Sequence, residues 1–343
     1  MQINFVVFNS FGGGNKNLYL LHEEAKNRKI NSKYIILSNN KIKNKSYFLK
    51  IKIYFFSIIK CMFLFIKFRF SNNKNEFLIF SDPLICFISI LIPKNKRVYY
   101  AQSDDFNLHI AEDGHPKILI LLHKFIVKIN NIYNYKKVFA NSFYIQNIYS
   151  KFHKDIKIIY PISDTPSHLA NTNFNYRIRL QKKNKLTVGT IGRKHIRKGL
   201  KDFLYISEKL KNSFEFVILS QEIRDSFNYT KIYSPKTRNE FFKVFSKFDI
   251  FISTSSFEGF GLPILESLNL GIPVIAKENG SINDLKYKDS VKVYDNPNKL
   301  IKTLKNLNDN RSNLNDMQKY TIINSKRFTQ VKSFEILYRS LIN

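Results

Sequence analysis

The sequence contains only two cysteines, Cys61 and Cys86, and both lie inside apolar runs. Two isolated thiols offer neither a metal-ligand spacing nor a disulfide framework, and they fit a reducing compartment such as the cytoplasm. Acidic residues are also scarce: 26 Asp and Glu stand against 56 Lys and Arg, a formal net charge of +30 over 343 residues. That balance favours an anionic partner, whether nucleic acid, an anionic lipid surface or a phosphorylated substrate, without choosing among them. Between residues 25 and 75 there is no acidic residue at all. A membrane-spanning run is missing too. The most lipophilic stretch, Ile51–Phe70, is interrupted by Lys52, Lys60 and Lys67, whereas a spanning helix needs about 18 or more predominantly uncharged residues. The opening run MQINFVVF has no basic stretch ahead of it and is too short for a secretory signal, so it reads as a first buried strand.

What is present is enough apolar material for two cores. The hydrophobic fraction is 44% and the aromatic fraction 15%, and a chain of this length exceeds what one core usually organises. Short β-like runs alternate with helical stretches, the pattern of parallel sheets wound with helices. The first half predicts strands at Ile3–Asn9, Tyr34–Leu37, Glu76–Ser81, Arg97–Gln102, Lys137–Ala140 and Lys157–Tyr160, with helices at about Asn17–Arg28, Phe48–Phe68, Pro83–Leu91, Lys117–Ile132 and Ser142–Phe152. The polar, aperiodic stretch 161–185 is the linker candidate. The cycle then restarts with strands at Lys185–Gly192, Phe214–Ser220, Phe248–Thr254 and Ile272–Ala276. The expectation is an α/β protein of two Rossmann-like doubly wound domains, residues 1–165 and 186–327, joined by a linker at 166–185.

The segment SFEGFGLPILESLNLG, from Ser256 to Gly271, follows one of these strands and enters a helix, with Pro263 near the helix start and Gly271 just past its end. Gly259 and Gly261 let the backbone approach a ligand closely, and the helix start at Leu262 favours a phosphate. Glu266 lies about one turn in, within reach of a ribose diol, and Glu258 lies on the other side of the turn. Two acceptors flanking a phosphate cradle suit a nucleotide sugar. The plainer alternative is a carboxylate complementing the helix dipole and a second that is merely solvated; no Ser or Thr three residues before Glu266 supplies a capping box. A second segment, GTIGRKHIRKGLKDF, places Arg193 and Lys198 around a turn bounded by Gly192 and Gly199. At the carboxyl edge of the same sheet these cations would hold a diphosphate; in so basic a chain they could also be a solvated face.

On these residues the chain resembles the family 4 retaining glycosyltransferases of the GT-B fold. The carriers are FEGFGLPILES with its Glu258 and Glu266, GRKHIRKG with Arg193 and Lys198, ANSFYIQ at Ala140–Gln146, and FGGGNKN at Phe11–Asn17. The resemblance implies two domains facing a cleft, with the C-terminal segment 328–343 packing back on the first. It implies that Arg193 and Lys198 bind the donor diphosphate, Glu266 the ribose and Glu258 the donor sugar, with Gly192, Gly259, Phe260, Gly261 and Leu262 completing the donor site. Gly13 and Gly14 are expected to border the donor phosphate, with a plain tight turn as the alternative, since G-x-G-x-x-G is absent. The reaction implied is metal-independent hexosyl transfer with no cofactor, from a nucleotide diphosphate sugar to a glycan acceptor that is lipid-linked, in cell-surface polysaccharide assembly.

One departure stands out. Many relatives carry a histidine where this chain reads VYYAQSDDF, which makes Asp105 the candidate catalytic-side contact, with helix capping or acceptor contact by Asp104 and Asp105 as the other readings. A metal role for the pair lacks a third clustered ligand. His109, His115 and His123 could line the cleft, with a structural or solvated role as the alternative for each, and Glu112–Asp113 reads as part of a mobile loop. The apolar run Ile53–Phe68, if helical, puts Lys60 and Lys67 on nearly one side and leaves Phe55, Ile59, Met62 and Phe63 facing elsewhere. Such a helix can pack one side on the sheet as an ordinary domain helix, and the two roles can coexist, with the basic flanks Lys41, Lys43, Lys45 and Lys50 meeting an anionic membrane. The expectation is a peripheral enzyme on the cytoplasmic face of the inner membrane that binds no nucleic acid. A basic nucleic-acid-binding protein and a sugar-nucleotide epimerase of similar architecture are the competing functions.

Overall fold

The computed structural model describes residues 1–8, 13–38, 47–107, 117–133, 135–169 and 183–343, and the chain divides into two compact units. The first contains β1 (Gln2–Val7), α1 (Gly13–Asn27), β2 (Asn31–Ile36), α2 (Tyr47–Arg69), β3 (Glu76–Phe80), α3 (Pro83–Ile88), β4 (Arg97–Ala101), α4 (Lys117–Ile132), β5 (Lys137–Ala140), α5 (Phe143–Tyr149) and β6 (Ile156–Ile158). Its six strands are all parallel, in the order β2-β1-β3-β4-β5-β6. β3 and β4 are buried along their whole length, as a parallel sheet covered on both faces requires. Asp82 caps α3 by accepting from the N–H groups of Leu84 and Ile85, and Pro83 sits at its first position. Ser142 of the ANSFYIQ motif caps α5 through the Ile145 N–H at 3.1 Å.

The second unit contains β7 (Leu186–Ile191), α6 (Leu200–Lys209), β8 (Phe214–Leu219), β9 (Thr230–Tyr233), α7 (Arg238–Phe245), β10 (Ile250–Ser253), α8 (Leu262–Asn269), β11 (Val274–Lys277), α9 (Ile282–Leu285), β12 (Val291–Tyr294), α10 (Pro297–Asp309) and α11 (Arg311–Ser325). Its strands are also all parallel, ordered β12-β11-β10-β7-β8-β9. Its largest core packs Phe203 and Ile206 of α6, Leu300, Leu304 and Leu307 of α10, and Leu314 and Met317 of α11 against β7, β8 and β10.

The last helix, α12 (Gln330–Ile342), belongs to the first unit. Phe334, Leu337 and Leu341 join Leu18, Leu21 and Ala25 of α1 on one face of the sheet, and the Gln330 side chain donates to the Leu20 carbonyl at 2.8 Å. This segment starts at Gln330, not at 328, because Phe328 stacks edge-on against Phe260 in the second unit. The units divide between Ile162 and Ser163, earlier than 165: Ile162 is buried in the first core and donates its N–H to Asn17, while Asp164 is held by Arg238 of the second unit. Most of the expected linker lies outside the described residues, as do Phe11, Gly12, Lys41, Lys43, Lys45, His109, Glu112, Asp113 and His115.

Four elements were not expected from the sequence: β9, β12, α11 and the one-turn helix α9. β9 (TKIY) and β12 (VKVY) are short outermost strands, each interrupted by a lysine, so they lack the apolar run that marks the interior strands. α11 is rich in asparagine and serine, with Ser312, Asn313, Asn315, Asn324 and Ser325, and has little periodicity to betray it. Cys61 and Cys86 are both buried free thiols, and burial pushes the Cys61 pKa up to about 12. Tyr99, Tyr100, Tyr149 and Tyr294 are core residues, which removes them as stacking platforms for nucleic-acid bases.

Candidate functional site

In the second unit the chain steps outward from β7 through β8 to β9, then returns to place β10 on the other side of β7. Ligands of open α/β sheets bind beyond the carboxyl ends of strands at such a reversal. The two segments leaving β7 and β10 there are GRKHIRKG and SSFEGFG.

After β7 the chain passes a 3₁₀ turn at Ile196–Lys198 and enters α6 through Gly199, whose φ of 63° is the left-handed conformation that glycine adopts without strain. After β10 it enters α8 through Gly261, at φ 98°. The two segments are stitched together by the backbone. The Ser256 N–H donates to the Arg197 carbonyl at 2.9 Å, and the Thr254 hydroxyl donates to the Lys198 carbonyl at 2.5 Å. That stitching sets the Lys198 ammonium on the Glu258 carboxylate, with both side chains largely withdrawn from water. The sequence-predicted cation and sugar-side carboxylate are thus brought together as an ion pair.

Glu266 is buried on α8, and its carboxylate engages the guanidinium of Arg238 at the start of α7. Arg238 also makes a two-nitrogen clasp on Asp164, at 3.1 Å from Nε and 2.8 Å from Nη2, and its guanidinium carbon lies 4.5 and 4.4 Å from the ring centres of Phe241 and Phe242. Burial works against this cation, but Asp164 and Glu266 outweigh it and raise the Arg238 pKa above the usual arginine value. Thr237 caps α7 by accepting from the Glu240 N–H at 3.1 Å, which fixes the helix end that carries Arg238.

Arg193 does not sit with Lys198 as one cationic pair. It is half-exposed and reaches Glu222, Nη1 to Oε1 at 2.9 Å, while the Lys194 N–H donates to the same carboxylate at 3.3 Å. A pocket of about 160 Å³ opens among Gly192, Arg193, Ser220, Thr237, Arg238 and Phe241. Phe260 buries its ring against Phe328, so that ring belongs to the packing of the turn. Arg238, Asp164 and Glu222 are neighbours of the candidate site residues that the sequence did not reveal. Each stands far from the motifs in sequence, and in so basic a chain one arginine after Thr237 carries no signal.

In the first unit, Gly13 and Gly14 open α1, and the Gln102 side chain donates to the Gly14 carbonyl at 3.1 Å. Asp105 lies inside the first unit. Its carboxylate is buried and turned inward, accepting from Ser103 Oγ at 2.5 Å, Tyr149 OH at 3.0 Å and Tyr99 OH at 3.1 Å. Burial pushes its pKa up to about 6 against the pull of those three donors and of His123, whose Nε2 lies 3.0 Å from the Asp105 carbonyl. Asp104 is buried as well, accepting the Asn107 N–H at 3.2 Å and side-chain amide at 2.8 Å. The pair holds the 103–107 turn together, nearer to the capping reading than to a catalytic one.

Residues 185–310 match the family described as glycosyl transferases group 1. A curated relative, the O-antigen biosynthesis glycosyltransferase WclY of Escherichia coli, is 37% identical over 101 residues, 28% of this chain and 28% of that protein, so the chain spans just over a quarter of that relative. Among solved structures, Anabaena HepE in complex with UDP-glucose superposes with a TM-score of 0.71 at 14% identity, covering 99% of each chain. The sucrose-phosphate synthase of Thermosynechococcus elongatus gives 0.76 at 13% identity, again over 99% of each. Those two likenesses show the fold, two parallel six-stranded sheets clothed in helices. Residues 185–310 are therefore similar to the glycosyl transferases group 1, and the fold of the chain is GT-B.

Proposed function

We propose that the protein is a retaining glycosyltransferase that moves a sugar from a nucleotide diphosphate sugar to a glycan hydroxyl. The observation that carries this reading is the Lys198–Glu258 pair, fixed where the segments leaving β7 and β10 are stitched beside the start of α8. An ammonium has three N–H donors, so Lys198 can keep Glu258 while receiving a phosphate oxygen. Arg193, Lys198 and the backbone from Gly259 to Leu262 stabilise the charge that develops on the departing diphosphate, the work a metal does in other transferases. Glu258 positions the donor sugar, and Glu266 accepts from the ribose hydroxyls once Arg238 shares it. The acceptor oxygen bonds to the anomeric carbon as the carbon–phosphate-oxygen bond breaks on the same face, and the acceptor proton passes to the departing phosphate oxygen.

The WclY likeness, through that protein's O-antigen role, supports a glycan acceptor in cell-surface polysaccharide assembly, and we place the reaction on a lipid-linked glycan at the cytoplasmic face of the inner membrane. Incubation of the protein with UDP-glucose and other nucleotide sugars, with and without lipid-linked glycan extracts, tests the reading. Transfer that requires acceptor and yields an α-linked product from an α-linked donor is the expected result. Isomerised sugar nucleotide formed without acceptor would replace it with the epimerase reading.

A further inference from the structure

The strands β2 to β5 step in one direction across the first sheet, and right-handed crossovers therefore put the connecting helices α2, α3 and α4 on one face. α2 covers that face with Ile53, Ser57, Cys61, Phe65 and Phe68, spaced as one side of a helix. The rest of α2 leaves large apolar side chains in the open: Phe55, Phe56 and Met62, with Phe63 at 71% and Phe70 at 75% exposed. α4 buries only Val127, Asn130 and Asn131 among its described side chains and exposes Leu121, Leu122, Phe125 and Ile132. α3 touches both helices, and Ile90, just after it, is exposed between them.

We propose that α2 and α4 together form a docking surface for an anionic lipid bilayer. Charge selects this occupant. α2, α3 and α4 contain no Asp or Glu, while Lys52, Lys60, Lys67, Arg69, Lys124 and Lys128 are exposed among the apolar side chains. Lysine stems can lie along an apolar surface with the ammonium at the headgroups while the aromatic rings enter the acyl boundary. Pairing the same face with a second copy would set lysine against lysine with no acidic residue on these helices to neutralise either. No helix among the described residues is long and apolar enough to cross a membrane, so the contact is with one leaflet. α2 has enough apolar surface both to pack on the sheet, as expected from its sequence, and to meet a membrane, and α4 extends the exposed apolar surface beyond what the sequence of α2 suggests. A lipid-linked acceptor would give the surface its purpose, yet vesicle binding is measured with neither donor nor acceptor, so this proposal and the transferase reading fail separately.

The test is flotation of the full chain with vesicles of phosphatidylcholine alone or of equal parts phosphatidylglycerol and phosphatidylcholine, at low and high salt. Strong binding to the anionic vesicles, weakened by salt, is expected. Phe63→Ser with Leu122→Ser should reduce the partition coefficient roughly tenfold or more through lost apolar burial, and Lys60→Glu with Lys67→Glu should reduce it by a similar factor. Thermal melts of both variants confirm that they fold, and donor binding should be unchanged. Absence of binding to either vesicle at low salt overturns the proposal, and so does binding that both variants retain in full. A concentration-dependent dimer that the Phe63/Leu122 variant abolishes would assign the face to a second copy instead.

Discussion

Gly199 packs so tightly on Thr254 that a Cβ at Gly199 would lie 2.2 Å from the Thr254 carbonyl oxygen. The close approach joins the two site segments, one residue from Lys198 and four from Glu258, and Gly199 also has φ 63°. Gly199→Ala must therefore push the segments apart. The left-handed backbone alone costs about 1–2 kcal/mol for a residue with a Cβ, and the collision with a backbone oxygen adds to it. A lower melting temperature and donor affinity reduced by roughly tenfold or more are expected, measured by thermal denaturation and by calorimetry with the nucleotide sugar that supports turnover. Unaltered affinity would mean that the stitching does not shape the donor site.

The two glutamates are predicted to fail differently. Glu266→Ala should weaken donor binding, and Glu258→Ala should mainly lower kcat. Loss of one charge-assisted hydrogen bond costs about 1.5–3 kcal/mol, roughly 10- to 150-fold. Steady-state kinetics with saturating acceptor separate KM from kcat; full affinity and turnover in both variants would refute the nucleotide-sugar assignment.

Arg238 links Asp164 and Glu266, so its removal should not add to removal of Glu266. Arg238→Gln is expected to destabilise by about 1–2 kcal/mol, the value of a charged pair discounted for the exposed part of the guanidinium. The Arg238→Gln, Glu266→Gln double variant should be less destabilised than the sum of the single changes, as urea melts in a double-mutant cycle would measure. Strict additivity would show that the contact contributes nothing.

Burial holds the Asp105 pKa up to about 6 in the folded chain, above the ordinary value of 3.8. Below pH 3.8 both states hold the proton and the folded state has its full relative stability. As pH rises to about 6 the unfolded chain ionises first, so stability is lost across that window, by about 3 kcal/mol for a shift of about two pKa units. Asp105→Asn keeps the side-chain shape and removes the ionisation. The variant should therefore gain melting temperature relative to the parent at pH 7.5 compared with pH 4. An equal difference at both values would show that Asp105 does not titrate in this way.

With Arg193, Lys198 and the start of α8 available for the diphosphate, turnover should persist in EDTA. Activity abolished by chelation and restored by magnesium or manganese would instead assign the diphosphate to a metal.

Much of the architecture was legible in the sequence because interior strands of parallel sheets are continuous apolar runs. β1, β3, β4, β7, β8 and β10 show as such, and glycine turns after β7 and β10 mark where the backbone must bend toward a ligand. Edge strands β9 and β12 are four residues long and each carries a lysine, so they give no such signal. Arg193, Lys198 and Glu258 stand out as candidates because they follow strand ends, and Glu266 because it lies one turn into the helix after a glycine turn. Their partners do not. Arg238 reaches Glu266 from 28 residues away, Glu222 reaches Arg193 from 29, and Lys198 and Glu258 meet across 60. The partners of Asp105 were hidden for the same reason, because Tyr99 and Tyr149 converge on it only through the packing of β4 and α5. Local sequence determines backbone conformation and which positions are apolar. Which charges meet depends on strand order, and strand order is set by long-range burial that no local pattern records.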